Sequence, residues 1–294
     1  MREYLLLAVF VSVTCGALST PYGLNPVDDL NVSLHPLLQW TGASFKFPCK
    51  STKALYKNSG KYISKHIIGT RAQIARDELF VALPRFKSGT PATLVRTALK
   101  GGCHTVFEPF PCWTMQEEGN CQALQSVVDF TIDNNGILWA LDTGVINAME
   151  NPIRKCPPKV VAFNIKTGKV LKTITLDGLT SRTSRLQYLV VDYSSDSRCF
   201  VYISDAASRA LIVYDVQASR GYKLVFPPAV VAGSKKKDVL YIALIRKTCG
   251  STVLYFTYLG GKRIFSINTE FLRKGYAQGR VVGKHSLALK ICSI

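Results

Sequence analysis

The sequence predicts an all-β fold, and within that class a β-propeller. Three observations carry this. Apolar and polar residues alternate in short runs, turn residues punctuate the runs, and a unit of four such runs recurs down the chain. In Val127–Gly144, Val128, Phe130 and Ile132 alternate with Asp129, Thr131 and Asp133, the period of a half-buried strand. Asn135-Gly136 supplies the positive backbone angles of a tight turn. Ile137–Leu141 is apolar on both faces, as a strand inside a packed sheet is.

Two more runs, Lys159–Ile165 and Val170–Leu176, complete this blade. The next reads Leu189–Tyr193, Cys199–Ser204, Ala210–Val216 and Tyr222–Phe226. A third reads Val239–Ile245, Thr252–Tyr258 and Arg263–Asn268, with a poorer fourth strand near Arg280–Val282. A looser copy precedes them at Ile67–Ala75, Leu79–Leu83, Ala92–Ala98 and Thr105–Phe107. The leading strands at Val127, Leu189 and Val239 start 62 and 50 residues apart. A large sandwich explains the alternation equally well but not the repeat.

With 294 residues and 47% hydrophobic content the chain can bury a full core, and wholesale disorder is excluded. Arg2, the apolar run Leu5–Val13 and the small residues through Ser19 read as a secretory signal peptide, residues 1–19. Residues 20–64 form an N-terminal extension, 65–284 the blades and 285–294 an atypical tail. No later stretch reaches the length of a membrane span, so a secreted, extracellular protein is expected.

Cysteine use fits export. Cys15 leaves with the signal, and Cys49, Cys103, Cys112, Cys121, Cys156, Cys199, Cys249 and Cys292 remain as disulfide candidates. Their spacing is irregular and no histidine stands beside them at ligand spacing, so no metal site is predicted. Asn31-Val32-Ser33 is a glycosylation sequon. The formal charge of +18 includes a basic run from Lys46 to Lys65 and the triplet Lys235–Lys237. Outside the cell such charge points to an anionic surface or glycan, not to nucleic acid, or simply to solvated loops.

Catalytic constellations are scarce. His35, His66, His104 and His285 are scattered, and neither a nucleophile elbow nor a phosphate-cradling glycine loop occurs. No catalytic residue and no cofactor is predicted. Asp133–Gly136 is turn chemistry rather than a calcium loop. Asp142 follows a buried strand and either pairs with an amine in the channel or caps the Thr143-Gly144 turn. Phe107, Phe110 and Trp113, stiffened by Pro109 and Pro111, either wall a ligand pocket, where aromatic faces attract cationic amines, or plug the gap between blades. Arg85 either anchors a loop or engages an acidic ligand group.

Five blocks, Leu79–Leu94, Glu108–Trp113, Gln125–Gly144, Cys156–Val170 and Val201–Val216, resemble the insect yellow and major royal jelly protein family in order and spacing. The resemblance covers about Trp40 to Leu272. It implies a secreted six-bladed propeller, in a family with roles in cuticle pigmentation, nutrition and salivary binding of biogenic amines. Some members are associated with dopachrome conversion. This chain departs in having Asn135 where many members have cysteine, and in placing Cys112 inside the proline–tryptophan block. A local Cys103–Cys112 loop is therefore expected. Only about four blades are visible, and the tail does not read like the family. An incomplete propeller is expected, whose arc leaves two apolar faces open to water. The expected function is non-catalytic binding of a small aromatic amine or catechol-derived ligand, through Phe110, Trp113, Asp142 and Arg85. The alternatives are a dopachrome-converting enzyme and a cuticle or extracellular structural protein.

Overall fold

A computed structural model describes residues 43–99, 105–230, 238–247 and 250–274, and the backbone of 290–293. The signal peptide, Asn31, Cys103, His104, Lys235–Lys237, Cys249 and Arg280–Val282 lie outside the described residues. Among the described residues, no helix is long and apolar enough to cross a membrane.

The four predicted blades are present as four sheets, antiparallel but for one added edge strand in the first. The first contains β1 (Ser44–Phe45), β2 (Arg71–Ala75), β3 (Glu78–Ala82), β4 (Leu94–Ala98) and β5 (Val106–Pro109), preceded by helix α1 (Lys50–Asn58) between β1 and β2. The second contains β6 (Val127–Ile132), β7 (Ile137–Asp142), β10 (Lys159–Asn164) and β11 (Val170–Thr175). Between β7 and β10 a small ladder forms from β8 (Val145–Ile146) and β9 (Ile153–Arg154). The third is β12 (Leu186–Tyr193), β13 (Cys199–Asp205), β14 (Ala210–Asp215) and β15 (Arg220–Val225). The fourth is β16 (Leu240–Arg246), β17 (Thr252–Tyr258), β18 (Arg263–Asn268) and β19 (Lys290–Ser293), with helix α2 (Thr269–Arg273) after β18.

The fourth strand of the last blade thus comes from the tail, where Ile264 pairs with Cys292. In the first blade β1 adds a parallel edge, Phe45 opposite Phe107, which the sequence reading did not foresee.

Each blade is apolar on both faces, so the blades stack through layers. Phe80, Phe110, Phe130 and Phe163 fill the layer between the first two. Trp139, Leu189, Cys199 and Val201 fill the next, and Phe226, Leu254, Phe256 and Phe265 the third. A fourth layer packs Phe45, Leu79, Val81, Val95 and Phe107 beneath the extension. One of the two faces expected to stand open is therefore covered by the chain's own N-terminal segment. Tyr62 donates to the Ala43 carbonyl at 2.7 Å and secures that cover.

The leading strands lie side by side, β2 against β6, β6 against β12, and β12 against β16. They are the inner edges of their sheets, with main-chain groups that need partners. Side chains supply them. Gln73 Nε2 donates to the Ile132 carbonyl at 3.3 Å, while its Oε1 accepts the Ile132 N–H at 2.9 Å. Gln187 does the same across the third junction, donating to the Asp238 carbonyl at 2.6 Å and accepting the Leu240 N–H at 2.9 Å.

Candidate functional site

A cavity of about 1020 Å³ opens where the leading strands begin. Thr70, Val128, Tyr188 and Val239 mark the starts of those strands. The rest of the wall comes from connections: Phe86 after β3, Thr143 to Pro158 between β7 and β10, and Thr180 to Arg185 between the second and third blades. Its volume is at the upper end of the range for small-molecule sites.

The wall is held by local chemistry. Gly144 has φ +68, and a Cβ there would stand 2.0 Å from the Cys156 carbonyl oxygen, so only glycine fits. The Gly144 carbonyl accepts the Lys155 and Cys156 N–H groups at 2.9 and 3.2 Å. The Cys121–Cys156 disulfide then ties this insertion to the segment leading into β6. Closing a loop with a sequence separation of 35 stabilises the fold by about 3–4 kcal/mol on the chain-entropy account.

Beside the cavity, Asp129 links three leading strands. It pairs with Arg71 Nε at 3.3 Å and accepts the Leu189 N–H at 2.8 Å. Burial pushes its carboxyl up to about 6, with Arg71 opposing the shift. The Tyr188 ring lies 5.1 Å from that of Tyr241, and burial raises the Tyr188 phenol.

None of the four residues expected to contact a ligand lines the cavity. Asp142 is fully buried and accepts the N–H groups of Gln125, Ser126 and Gly144 at 2.8, 2.8 and 2.9 Å. Lys159 stands 3.6 Å away, and burial lowers its ammonium while Asp142 opposes. Arg85 is buried in a cage of main-chain carbonyls, donating to Thr90, Pro91, Gln116, Leu124 and Gln125 at 2.5–3.1 Å. Desolvation lowers its pKa, and the carbonyl dipoles meet its charge. Of the two roles open to it in the sequence, the geometry is that of a loop anchor. Phe110 sits edge-on to Phe80 and Phe163, with centroids at 5.1 and 5.8 Å. Trp113 stacks on Phe47 at 4.9 Å and donates to the Lys46 carbonyl at 3.2 Å, on the flank of the first blade.

The cysteines divide in the same way. Cys121 and Cys156 are bonded. Cys112 carries a free, exposed thiol, and Cys103, its expected partner, lies outside the described residues. Cys199 is free and buried between blades, which pushes its thiol up to about 12. Cys49 is free and exposed, and hydroxyls of Ser51 and Thr52 at 3.0 and 3.1 Å bring its thiol down to about 7.

The sequence did hold a signal for the cavity. The second blade's repeat is 12 residues longer than the third's. Its Gly144–Pro158 insertion forms one wall.

Residues 125–289 match the model of the family described as Major royal jelly protein. Protein yellow of Drosophila melanogaster is 25% identical over 256 residues, covering 80% of this chain and 47% of that protein. Major royal jelly protein 1 of Apis mellifera is 25% identical over 264 residues, covering 84% and 60%. The chain spans about half the length of the curated relatives it matches. Among solved structures, a luciferin-regenerating enzyme aligns with 77% of this chain and 62% of that one, at 16% identity and a TM-score of 0.39.

Proposed function

The chain belongs to the major royal jelly protein family, and we propose that it is a secreted, non-catalytic binding protein. Its ligand is a small, catechol-derived aromatic molecule held in the cavity at the head of the leading strands. The wall composition carries this reading. Phe86, Met149 and Tyr188 offer apolar and aromatic surface, and threonine and serine hydroxyls stand around them. Among the described residues, no His, Asp, Glu, Cys or Lys lines the cavity. Proton transfer needs a positioned acid or base titrating near the working pH. The Tyr188 phenol, raised by burial, does not. Export is supported by the signal-like N-terminus and by the Cys121–Cys156 disulfide.

Calorimetric titration of the whole chain with catechols tests the proposal. Saturable heat is expected, with Tyr188→Ala weakening affinity about tenfold or more through lost stacking area. Absence of heat with every catechol tried would remove the binding reading. Acceleration of dopachrome decay over buffer would remove the non-catalytic one. Attachment to anionic glycans is a second reading, supported by α1, which buries no residue and presents Lys50, Lys53 and Lys57. Salt-insensitive passage through a sulfated-glycan column would count against it.

A further inference from the structure

We infer that the cavity selects aromatic ligands bearing a carboxylate, which the guanidinium groups of Arg154 and Arg182 receive. This rests on the proposed binding function and assigns the ligand its charge. Among the described residues, three arginines line the wall and no carboxylate does. Arg185 is already matched, with Nη1 2.7 Å from Asp238 Oδ1. Neither Arg154 nor Arg182 has an ion-pair or hydrogen-bond partner for its side chain among the described residues. The other carboxylates near the wall are engaged: Asp129 with Arg71, Asp142 with Lys159 and three N–H groups, Glu150 with the Ser88 N–H at 3.0 Å, and Asp205 with Lys223, Ser184 Oγ and the Arg185 N–H. Among the described residues, a protonated amine entering the cavity therefore meets two unpaired positive charges and only carboxylates already engaged.

The two guanidiniums are presented from fixed backbone. Arg154 pairs with Val145 in the β8–β9 ladder, two residues before the disulfide-bonded Cys156. Arg182 sits in a turn closed by the Ser184 N–H on the Ser181 carbonyl at 3.1 Å and the Ser181 N–H on Ser184 Oγ at 2.9 Å. A planar guanidinium matches a carboxylate through two parallel hydrogen bonds, and a concave wall carrying one sign of charge focuses the attraction.

The test compares three catechols that differ in charge: 3,4-dihydroxyphenylacetate, dopamine and neutral 4-methylcatechol, titrated calorimetrically into the whole chain. The acid is expected to bind about tenfold more tightly than dopamine, and more weakly as salt rises. Arg154→Ala and Arg182→Ala are each expected to weaken the acid about tenfold while leaving 4-methylcatechol unchanged. Because both side chains are exposed, the thermal midpoint should hold, and 4-methylcatechol binding reports an intact cavity. Dopamine binding as tightly as the acid, or both variants retaining the acid's full affinity, would overturn the charge assignment and leave the binding function standing. Silence from all three ligands would overturn both.

Discussion

The outward faces of the first and last blades carry the same kind of pattern and meet opposite fates. On the first, Leu79 and Val81 are 8% and 2% exposed beneath Phe45, Phe47 and Tyr62 of the extension. On the last, Ala243 and Ile245 alternate along β16 in the same manner and are exposed, Ile245 at 51%. Alternation specifies which residues share a face, but not whether anything covers it. What covers the first blade is a short, aromatic-rich segment whose rings meet at centroid distances of 5.3–6.3 Å.

The contrast is open to mutation. Phe107→Ala removes a fully buried ring from the covered layer and is expected to cost about 3–5 kcal/mol in denaturant unfolding. Ile245→Ala on the open flank is expected to cost far less, and equal losses would erase the distinction.

Asp129 belongs to neither flank and gives a reference at the axis. Its folded carboxyl is raised from 3.8 to about 6, so the folded state binds the proton more tightly. That contribution is complete below about pH 4 and is lost as pH rises through about 6. The stability advantage of the wild type over Asp129→Asn should therefore shrink by about 2–3 kcal/mol between about pH 4 and about pH 7. A flat difference across that window would show that burial does not govern this carboxyl.

Smaller effects sharpen the picture. Trp113→Phe gives up the hydrogen bond to Lys46 and is expected to cost about 1 kcal/mol while perturbing tryptophan emission. Ile245→Lys should fall within about 0.5 kcal/mol of wild type. A large loss there would mean that the last face is covered after all.

Most of the blades were legible in the sequence because each strand states its own period and its own turn. Asp133–Gly136 folds as read, with Asp133 Oδ1 accepting the Asn135 N–H at 2.9 Å. Elements without an apolar period escaped notice. Helix α1 has no buried face, β1 is two residues long, and β8 and β9 are formed by an insertion. The start of β12 was read three residues late because the register shifts between Leu186 and Leu189. The cavity was harder still. Arg154, Arg182, Phe86 and Tyr188 come from separate strands and loops, and only the assembled blades bring them together. Asp142 and Arg85 drew attention for their charge, which the fold consumes internally.

The glutamine clasps between leading strands have a consequence for how such an architecture can change. Gln73 recognises Ile132, and Gln187 recognises Asp238 and Leu240, so each seam is written in its own pair of addresses. The sheets look like repeated parts, yet shuffling their order would leave every amide facing a stranger. Duplication can supply such parts, but each new seam must then be matched by its own substitutions.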